Sequence, residues 1–182
     1  MNLLEKAKLM TAGEIGAALR GLAQEIVAHN GGGHGIALVG IRRRGVPLAE
    51  RLARAFWEIE SIEVSVGCLD INLYRDDLST VATQPIIQST EIDFPINKKI
   101  VVLVDDVLYT GRTVRAAMDA LVDYGRPKAI QLCVLIDRGH RELPIQANFV
   151  GKTVKTKESE MVEVRLNEVD QIEGVLLVEN AS

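Results

Sequence analysis

The sequence lacks the cysteine patterns of disulfide frameworks and metal knuckles, and it lacks a long apolar run. Its 182 residues include two cysteines, Cys68 and Cys133, which are too few and too far apart for a disulfide framework or a CxxC metal site. No stretch approaches the roughly 20 consecutive apolar residues that span a bilayer. The charged first ten residues lead to no cleavage site typical of a secretory signal. We therefore expect a cytoplasmic protein with reduced, structural cysteines and no membrane partner.

What is present is typical of a globular protein with an uneven charge distribution. Hydrophobic residues make up 47% and charged residues 25% of the chain, and the net charge is −4. Residues 126–157 carry a net charge of +5, whereas residues 158–182 carry −6. A local basic surface attracts phosphates even on an acidic chain. From charge alone, a solvated surface explains the basic segment equally well.

Alternating helical and strand patterns predict an α/β fold in one domain over residues 1–182. Amphipathic spacing predicts helices over residues 14–28, 47–57 and 113–124. Apolar runs predict buried strands over 36–40, 100–104 and 130–136, and short strands over 148–150, 161–166 and 175–178. A long strand is expected over 62–74, followed by a polar loop over 75–84 and a return strand over 85–94. Such alternation favours a mainly parallel, twisted sheet flanked by helices.

The most informative motif is the strand–turn–helix segment over residues 101–113, Val-Val-Leu-Val-Asp-Asp-Val-Leu-Tyr-Thr-Gly-Arg-Thr. The apolar strand places Asp105 and Asp106 at the carboxyl edge of the sheet, where open α/β folds bind ligands. From Thr110 to Thr113, backbone N–H groups and hydroxyls at the start of a helix form a cup for a phosphate monoester. Gly111 allows the backbone to approach this ligand closely. Because carboxylates repel phosphate, the aspartates suit ribose hydroxyls, directly or through a metal ion.

A Walker B strand is the alternative interpretation of this motif, because it also ends in acidic residues. A Walker B strand requires a P-loop elsewhere in the chain. Gly151-Lys152-Thr153 matches the end of a P-loop, but Gln146 stands where its first glycine is required. We therefore favour the phosphate-and-ribose interpretation.

A second phosphate-binding element is predicted at Ile41-Arg42-Arg43-Arg44-Gly45. This segment follows a predicted strand and precedes the helix that begins near Pro47, so it should lie on the same sheet edge. Three arginines suit a pyrophosphate, which carries several negative charges. A solvated basic loop is the alternative, and the downstream motif favours function.

Three long segments resemble the pyrimidine-operon attenuation regulators that double as uracil phosphoribosyltransferases, a family of type I phosphoribosyltransferases. The segments are residues 70–78, 104–116 and 137–145. Adenine, orotate and hypoxanthine enzymes share only the middle segment. The similarity extends over nearly the whole chain, from the first helix to Asp170.

The resemblance implies a fold, an activity and several partners. The implied fold is the type I phosphoribosyltransferase fold, with a flexible hood at about residues 66–95. The implied reaction transfers ribose 5-phosphate from 5-phosphoribosyl pyrophosphate (PRPP) to uracil, giving UMP and pyrophosphate with Mg²⁺. The second implied role is UMP-dependent binding to the leader mRNA of pyrimidine biosynthesis genes, which promotes transcription termination. Members form homodimers that can assemble further.

The resemblance also assigns residues to the site. Its catalytic residues are Asp105, Asp106 and Arg42. Its PRPP- and nucleotide-binding residues are Ile41, Arg42, Arg43, Arg44, Gly45, Asp105, Asp106, Val107, Leu108, Tyr109, Thr110, Gly111, Arg112 and Thr113. Backbone groups of Asp137, Arg138 and Gly139 are expected to bind uracil. Tyr74, Arg75 and Asp76 belong to the hood, which excludes water when it closes. We expect Mg²⁺ to bind through the pyrophosphate of PRPP, without an assigned protein ligand, and we identify no general base for uracil.

The predicted RNA contacts are Arg20, Gln24, Arg141 and Lys152. The family's usual threonine, arginine, histidine and arginine of the first helix are replaced here by Arg20, Gly21, Gln24 and His29, and Gln146 replaces another arginine. Fewer cations predict weaker and less salt-dependent RNA binding. Two alternatives therefore stay open. One is a salvage uracil phosphoribosyltransferase without RNA binding, and the other is a nucleotide-sensing RNA-binding regulator with negligible catalysis.

Overall fold

The computed structural model describes residues 3–71 and 90–180 and contains two β-sheets and four helices in that part of the chain. In chain order the elements are β1 (Leu3–Met10), α1 (Ala12–Asn30), β2 (Ile36–Ile41), α2 (Gly45–Glu60), β3 (Ser65–Leu69), β4 (Ile100–Leu108), α3 (Arg112–Val122), β5 (Ala129–Asp137), β6 (Phe149–Thr153), β7 (Glu160–Arg165), α4 (Asn167–Asp170) and β8 (Gly174–Asn180). None of the helices in these ranges is long and apolar enough to cross a membrane.

The larger sheet has five parallel strands in the order β3-β2-β4-β5-β6. Its central strand β4 is apolar and buried on both faces, with Val101 to Val104 at most 1% exposed. Alternate β4 side chains pack against different helices: Val102 and Val104 belong to the core beneath α1 and α2, and Val101 and Leu103 to the core beneath α3. The predicted parallel sheet flanked by helices is confirmed.

Local sequence explains where α1 begins and ends. Thr11 caps its first turn: the Thr11 hydroxyl accepts the Glu14 N–H, and the Glu14 carboxylate accepts the Thr11 N–H. Gly31 ends the helix in a left-handed conformation, with a φ of 69°. The buried side of α1 packs beside β5 and β6, which leaves Arg20 and Gln24 exposed on its other side.

The smaller sheet is antiparallel in the order β1-β8-β7. We did not predict β1, because its charged residues Glu5, Lys6 and Lys8 obscure an alternating strand pattern. The long strand expected over 62–74 is wrong in its described part, since β3 covers only Ser65–Leu69. The described part of the expected return strand makes only an isolated bridge, between Glu91 and Cys68.

Candidate active site

The predicted site segments meet at the carboxyl edge of the parallel sheet. Strands β2, β4 and β5 are neighbours, and each ends directly before one of the segments. The register pairs Gly40 of β2 with Val104 of β4, and Leu108 of β4 with Asp137 of β5. The arginine loop, the aspartate pair and the segment after β5 therefore lie side by side, where parallel α/β sheets bind ligands.

Asp105 and Asp106 lie within the last four residues of strand β4. This strand continues to Leu108 rather than ending at Val104 as predicted. Asp105 is 6% exposed, and Asp106 is half-buried. The Asp106 N–H donates to Oδ1 of Asp105, and the Val107 N–H donates to Oδ1 of Asp106, both at 2.9 Å. These local bonds hold the two carboxylates in place at the sheet edge.

The β4–α3 turn has the shape of a phosphate cup. Gly111 precedes α3 with a φ of 93°, a left-handed conformation that favours glycine. A Cβ at this position would lie 3.3 Å from the Ile145 side chain. The Thr110 hydroxyl accepts the Arg112 N–H at 3.3 Å, and the first N–H groups of α3 point toward the same turn. The carbonyl of Thr110 accepts the N–H groups of Glu142 and Leu143, so a distant loop braces the turn.

The β2–α2 turn packs directly against Val104 of β4. A Cβ at Gly45 would overlap the carbonyl oxygen of Val104, and a Cβ at Gly40 would lie 2.5 Å from the carbonyl oxygen of Gly45. Both positions therefore require glycine for close packing rather than for backbone conformation. The peptide bond between Arg42 and Arg43 is cis.

The three arginines of this turn have different surroundings. The Arg42 guanidinium lies 3.4 Å from the Glu91 carboxylate. Arg43 is exposed. Arg44 donates two hydrogen bonds to the Asp170 carboxylate, from Nε at 3.0 Å and from Nη2 at 2.7 Å. Asp170 is not among the predicted site residues, because its partner Arg44 lies 126 residues earlier in the chain.

The segment after β5 holds Arg138 in the interior. This side chain donates to the Thr156 hydroxyl at 3.2 Å and to the Glu160 carbonyl at 2.7 Å, and its guanidinium lies 4.0 Å from the centroid of the Tyr109 ring. Burial lowers the pKa of the Arg138 guanidinium. The Arg138 N–H donates to the Leu108 carbonyl, which joins this segment to the aspartate strand. The Gly139 N–H donates to Oδ1 of Asp137.

Arg141, predicted as an RNA contact, is bonded within this edge of the sheet. Its guanidinium donates to the carbonyls of Tyr109 at 2.9 Å, Ile145 at 2.9 Å and Gly139 at 3.2 Å, and to the Asp137 carboxylate at 2.5 Å. Arg141 therefore connects the turn after β4 to the loop after β5.

The other predicted residues lie on α1, near the carboxyl end of β6 in register with Ile136 of β5, or outside the described residues. Arg20 and Gln24 are exposed on α1, and Lys152 of the neighbouring strand β6 donates from Nζ to the Leu9 carbonyl at 2.8 Å. The predicted hood residues Tyr74, Arg75 and Asp76 lie outside the described residues.

Within residues 3–71 and 90–180, no group of three or more His, Cys, Asp or Glu side chains is arranged to hold a metal ion. The adjacent carboxylates of Asp105 and Asp106 nevertheless fit Mg²⁺ chemistry. Mg²⁺ keeps several waters and commonly uses one or two carboxylates together with substrate phosphates. An ion held mainly by the ligand's oxygens suits this edge of the sheet.

Comparisons with known proteins agree with this geometry. The family model described as the phosphoribosyl transferase domain matches residues 8–168. The bifunctional protein PyrR of Pelotomaculum thermopropionicum is 59% identical over 177 residues, which cover 97% of this chain and 98% of the relative. The bifunctional protein PyrR of Thermus thermophilus is 58% identical over 174 residues, 96% of each chain. The chain therefore belongs to the phosphoribosyl transferase domain family and, within it, to the PyrR family.

Solved structures agree on the fold. The hypoxanthine-guanine phosphoribosyltransferase of Bacillus anthracis has a TM-score of 0.69 at 19% identity, covering 98% of this chain and 100% of that chain. A hypoxanthine phosphoribosyltransferase of Trypanosoma cruzi has a TM-score of 0.74 at 17% identity, covering 96% of each chain. The chain has the type I phosphoribosyltransferase fold, as predicted.

Proposed function

We propose that this protein transfers ribose 5-phosphate from PRPP to uracil, forming UMP and pyrophosphate, and that it binds pyrimidine leader mRNA when UMP is bound. The observation that carries the proposal is that the two turns predicted to bind phosphate meet a carboxylate pair at one sheet edge. The names of the relatives, each called bifunctional, support the two roles together.

In this reaction the C1–O bond of PRPP breaks as a uracil nitrogen attacks C1. The cup from Thr110 to Thr113 would hold the 5′-phosphate, and the carboxylates of Asp105 and Asp106 would hold the ribose hydroxyls. Their negative charge favours the positive charge that develops on the ribose ring. The β2–α2 turn, with Arg42 and Arg43, would hold the departing pyrophosphate. Bound Mg²⁺ would neutralise charge on that pyrophosphate.

Uracil would lie against the segment Asp137 to Gly139. This segment follows β5 directly beside the aspartates, and its backbone is fixed by the bonds to Leu108 and within Asp137–Gly139. A fixed backbone recognises a small polar base at low entropic cost.

The proposed RNA surface comprises Arg20 and Gln24 of α1 and Lys152 of β6. These elements pack beside each other, and all three side chains are exposed. Arg141 would act at the nucleotide end of this surface through its bonds to the site. Filter binding of a pyrimidine leader hairpin, with and without UMP and at several salt concentrations, tests this role. RNA binding that UMP does not change would favour a salvage enzyme.

We propose further that the protein acts in the cytoplasm, where its substrates and leader transcripts occur, as a homodimer or a larger homo-oligomer. The resemblance of the sequence to its family supports this assembly. Sedimentation equilibrium over a range of protein concentrations measures it, and a monomer at micromolar concentration would contradict it.

The enzymatic half is tested by UMP formation from PRPP and uracil with Mg²⁺. We expect Asp105→Asn and Asp106→Asn to lower kcat by about 100-fold, because each removes charge that stabilises the transition state. Asp119 is an exposed carboxylate on α3, so Asp119→Asn is the matched control and should keep wild-type activity. No turnover with uracil, adenine, hypoxanthine or orotate by folded protein that binds UMP would favour the nucleotide-sensing regulator.

A further inference from the structure

Asp170 occupies a position at the proposed pyrophosphate turn that the sequence motifs do not reveal. It ends the single-turn helix α4, which lies between β7 and β8 in the chain. We call the small antiparallel sheet (β1, β7 and β8) together with α4 the lobe. Its carboxylate accepts two hydrogen bonds from the Arg44 guanidinium, side-on, at 3.0 and 2.7 Å. This geometry is the strongest that an arginine and a carboxylate can adopt.

The carboxylate of Asp170 is itself held from the other side. Its Oδ2 accepts the Leu166 N–H at 2.9 Å, and the Asp170 N–H donates to the Leu166 carbonyl at 2.7 Å. The Leu166 side chain is fully buried. Asp170 is therefore a fixed point attached to the core, and Arg44 is bonded to that fixed point.

Arg44 connects Asp170 to the β2–α2 turn, on the side of the proposed ligand site. It is the last residue before α2, and the next residue, Gly45, packs on the Val104 carbonyl beside Asp105. The hydrogen bonds to Asp170 raise the pKa of the Arg44 guanidinium, and the nearby Asp106 carboxylate raises it further. The turn is therefore attached at its α2 end, while the exposed Arg43 precedes that attachment.

We propose that Asp170 is a positioning residue for the pyrophosphate turn: it acts through Arg44 and touches no reacting atom. The inference rests on the proposed phosphoribosyl transfer and deepens it. Arg44 then serves as the connection between turn and lobe, and pyrophosphate is bound by the remaining groups of the turn. Fixing the turn before PRPP arrives lowers the ordering cost of binding.

A second ion-pair cluster between the same elements provides a matched control. Seven residues further along α2, Arg51 pairs with Glu168 at 2.7 Å and with Glu173 at 2.7 Å. This cluster also joins α2 to the lobe but does not include the turn. If ion pairs between α2 and the lobe served only to stabilise the fold, Asp170→Asn and Glu168→Gln would have the same effect on the enzyme.

The experiment compares Asp170→Asn, Arg44→Gln, the double variant and Glu168→Gln in the full-length protein. We expect Asp170→Asn to raise the KM for PRPP about tenfold, with the KM for uracil and kcat changed less than about twofold. Arg44→Gln should give a similar rise in the KM for PRPP. The double variant should show no larger rise than either single variant, because both substitutions remove the same connection. Glu168→Gln should leave the KM for PRPP unchanged. Thermal unfolding of each variant establishes that it is folded.

An unchanged KM for PRPP in folded Asp170→Asn would overturn the proposal, as would equal rises in Asp170→Asn and Glu168→Gln. Additive rises in the double variant would also overturn it, because they would show that Asp170 acts independently of Arg44. If the wild-type protein shows no turnover, calorimetric titration with PRPP and Mg²⁺ replaces KM. The proposed reaction would then be wrong, whereas the role of Asp170 would still be judged by the same ratio of PRPP affinities.

Discussion

Two turns at one edge of the sheet are built in opposite ways. The β4–α3 turn has two threonine hydroxyls and the left-handed Gly111 in a contiguous segment, and backbone N–H groups of Glu142 and Leu143 brace its Thr110 carbonyl. The β2–α2 turn carries three consecutive arginines, packs Gly45 against Val104 of β4, and is attached by Arg44 to a residue 126 positions away. In the proposed function, one turn would present backbone amides to a phosphate monoester, and the other would present cations to a pyrophosphate.

The difference between the turns matches what each proposed ligand requires. A phosphate monoester stays bound through the reaction, so a rigid local cup with fixed N–H groups suits it. Pyrophosphate gains charge as it leaves, and flexible arginine side chains lose conformational entropy when they bind it. A distant attachment reduces that loss for the β2–α2 turn. We therefore expect the β2–α2 turn to be sensitive to packing and ion pairs that the β4–α3 turn does not need.

The largest expected effect comes from the close packing of the β2–α2 turn. In Gly45→Ala, the new methyl group would overlap the Val104 carbonyl oxygen, which belongs to the central strand and cannot move freely. We expect a loss of about 3 kcal/mol in the free energy of unfolding. Urea denaturation followed by circular dichroism measures it.

The control for this substitution is Gly21→Ala, in the middle of α1, where a Cβ would meet nothing within 4 Å. It should stabilise the protein by roughly 0.5–1 kcal/mol, because alanine loses less backbone entropy in a helix than glycine does. A loss below about 1 kcal/mol in Gly45→Ala would show that β4 can shift to accommodate the methyl group. The β2–α2 turn would then not depend on close packing as the comparison requires.

The same contrast explains which parts of the site the sequence could predict. The β4–α3 turn follows from a contiguous motif, because its strand, carboxylates and cup are all local to residues 101–113. The burial of Arg138 does not follow from a contiguous motif, because it depends on carbonyl oxygens of residues 157 and 160 and on the Tyr109 ring. Arg138 is part of a basic segment whose charge alone left a phosphate-attracting surface and a solvated surface equally open.

The strands of segment 158–182 were predicted, but its acidic residues were recognised only as an excess of charge. In the fold it supplies Glu168, Asp170 and Glu173 to the arginines of α2 and of the turn before it. Strand β1 was missed for a related reason: the side chain of Lys6 pairs with Glu160 of β7 and Glu179 of β8, so its charges belong to an ordered sheet. Periodicity reports local structure, and these pairings join residues far apart in the chain.

A smaller effect is expected from acid. Arg44, and after it the Leu166 N–H, lower the pKa of the Asp170 carboxyl, although burial opposes them. The resulting stability is fully present above the unfolded pKa of about 3.9 and is lost as the pH falls through the lower folded pKa. Asp170→Asn should therefore cost about 1 kcal/mol of unfolding free energy at pH 7, and this difference should shrink below about pH 4. Urea denaturation of both proteins between pH 7 and 3 measures it. A difference that stays constant down to pH 3 would contradict the charged pair.

The smallest effect is expected at the ion pair of the β4–α3 turn. Arg112 lies 2.6 Å from the Glu142 carboxylate, but both side chains are about half exposed, at 53% and 51%. Water and salt screen such a pair, so Glu142→Gln should change the free energy of unfolding by less than about 0.5 kcal/mol. The substitution also leaves the Glu142 N–H bonded to the Thr110 carbonyl, so the KM for PRPP should not change. Urea denaturation at low and high salt, with PRPP kinetics, measures both quantities. A tenfold rise in that KM would mean that the two turns depend on ion pairs in the same way, and the contrast between them would then rest on packing alone.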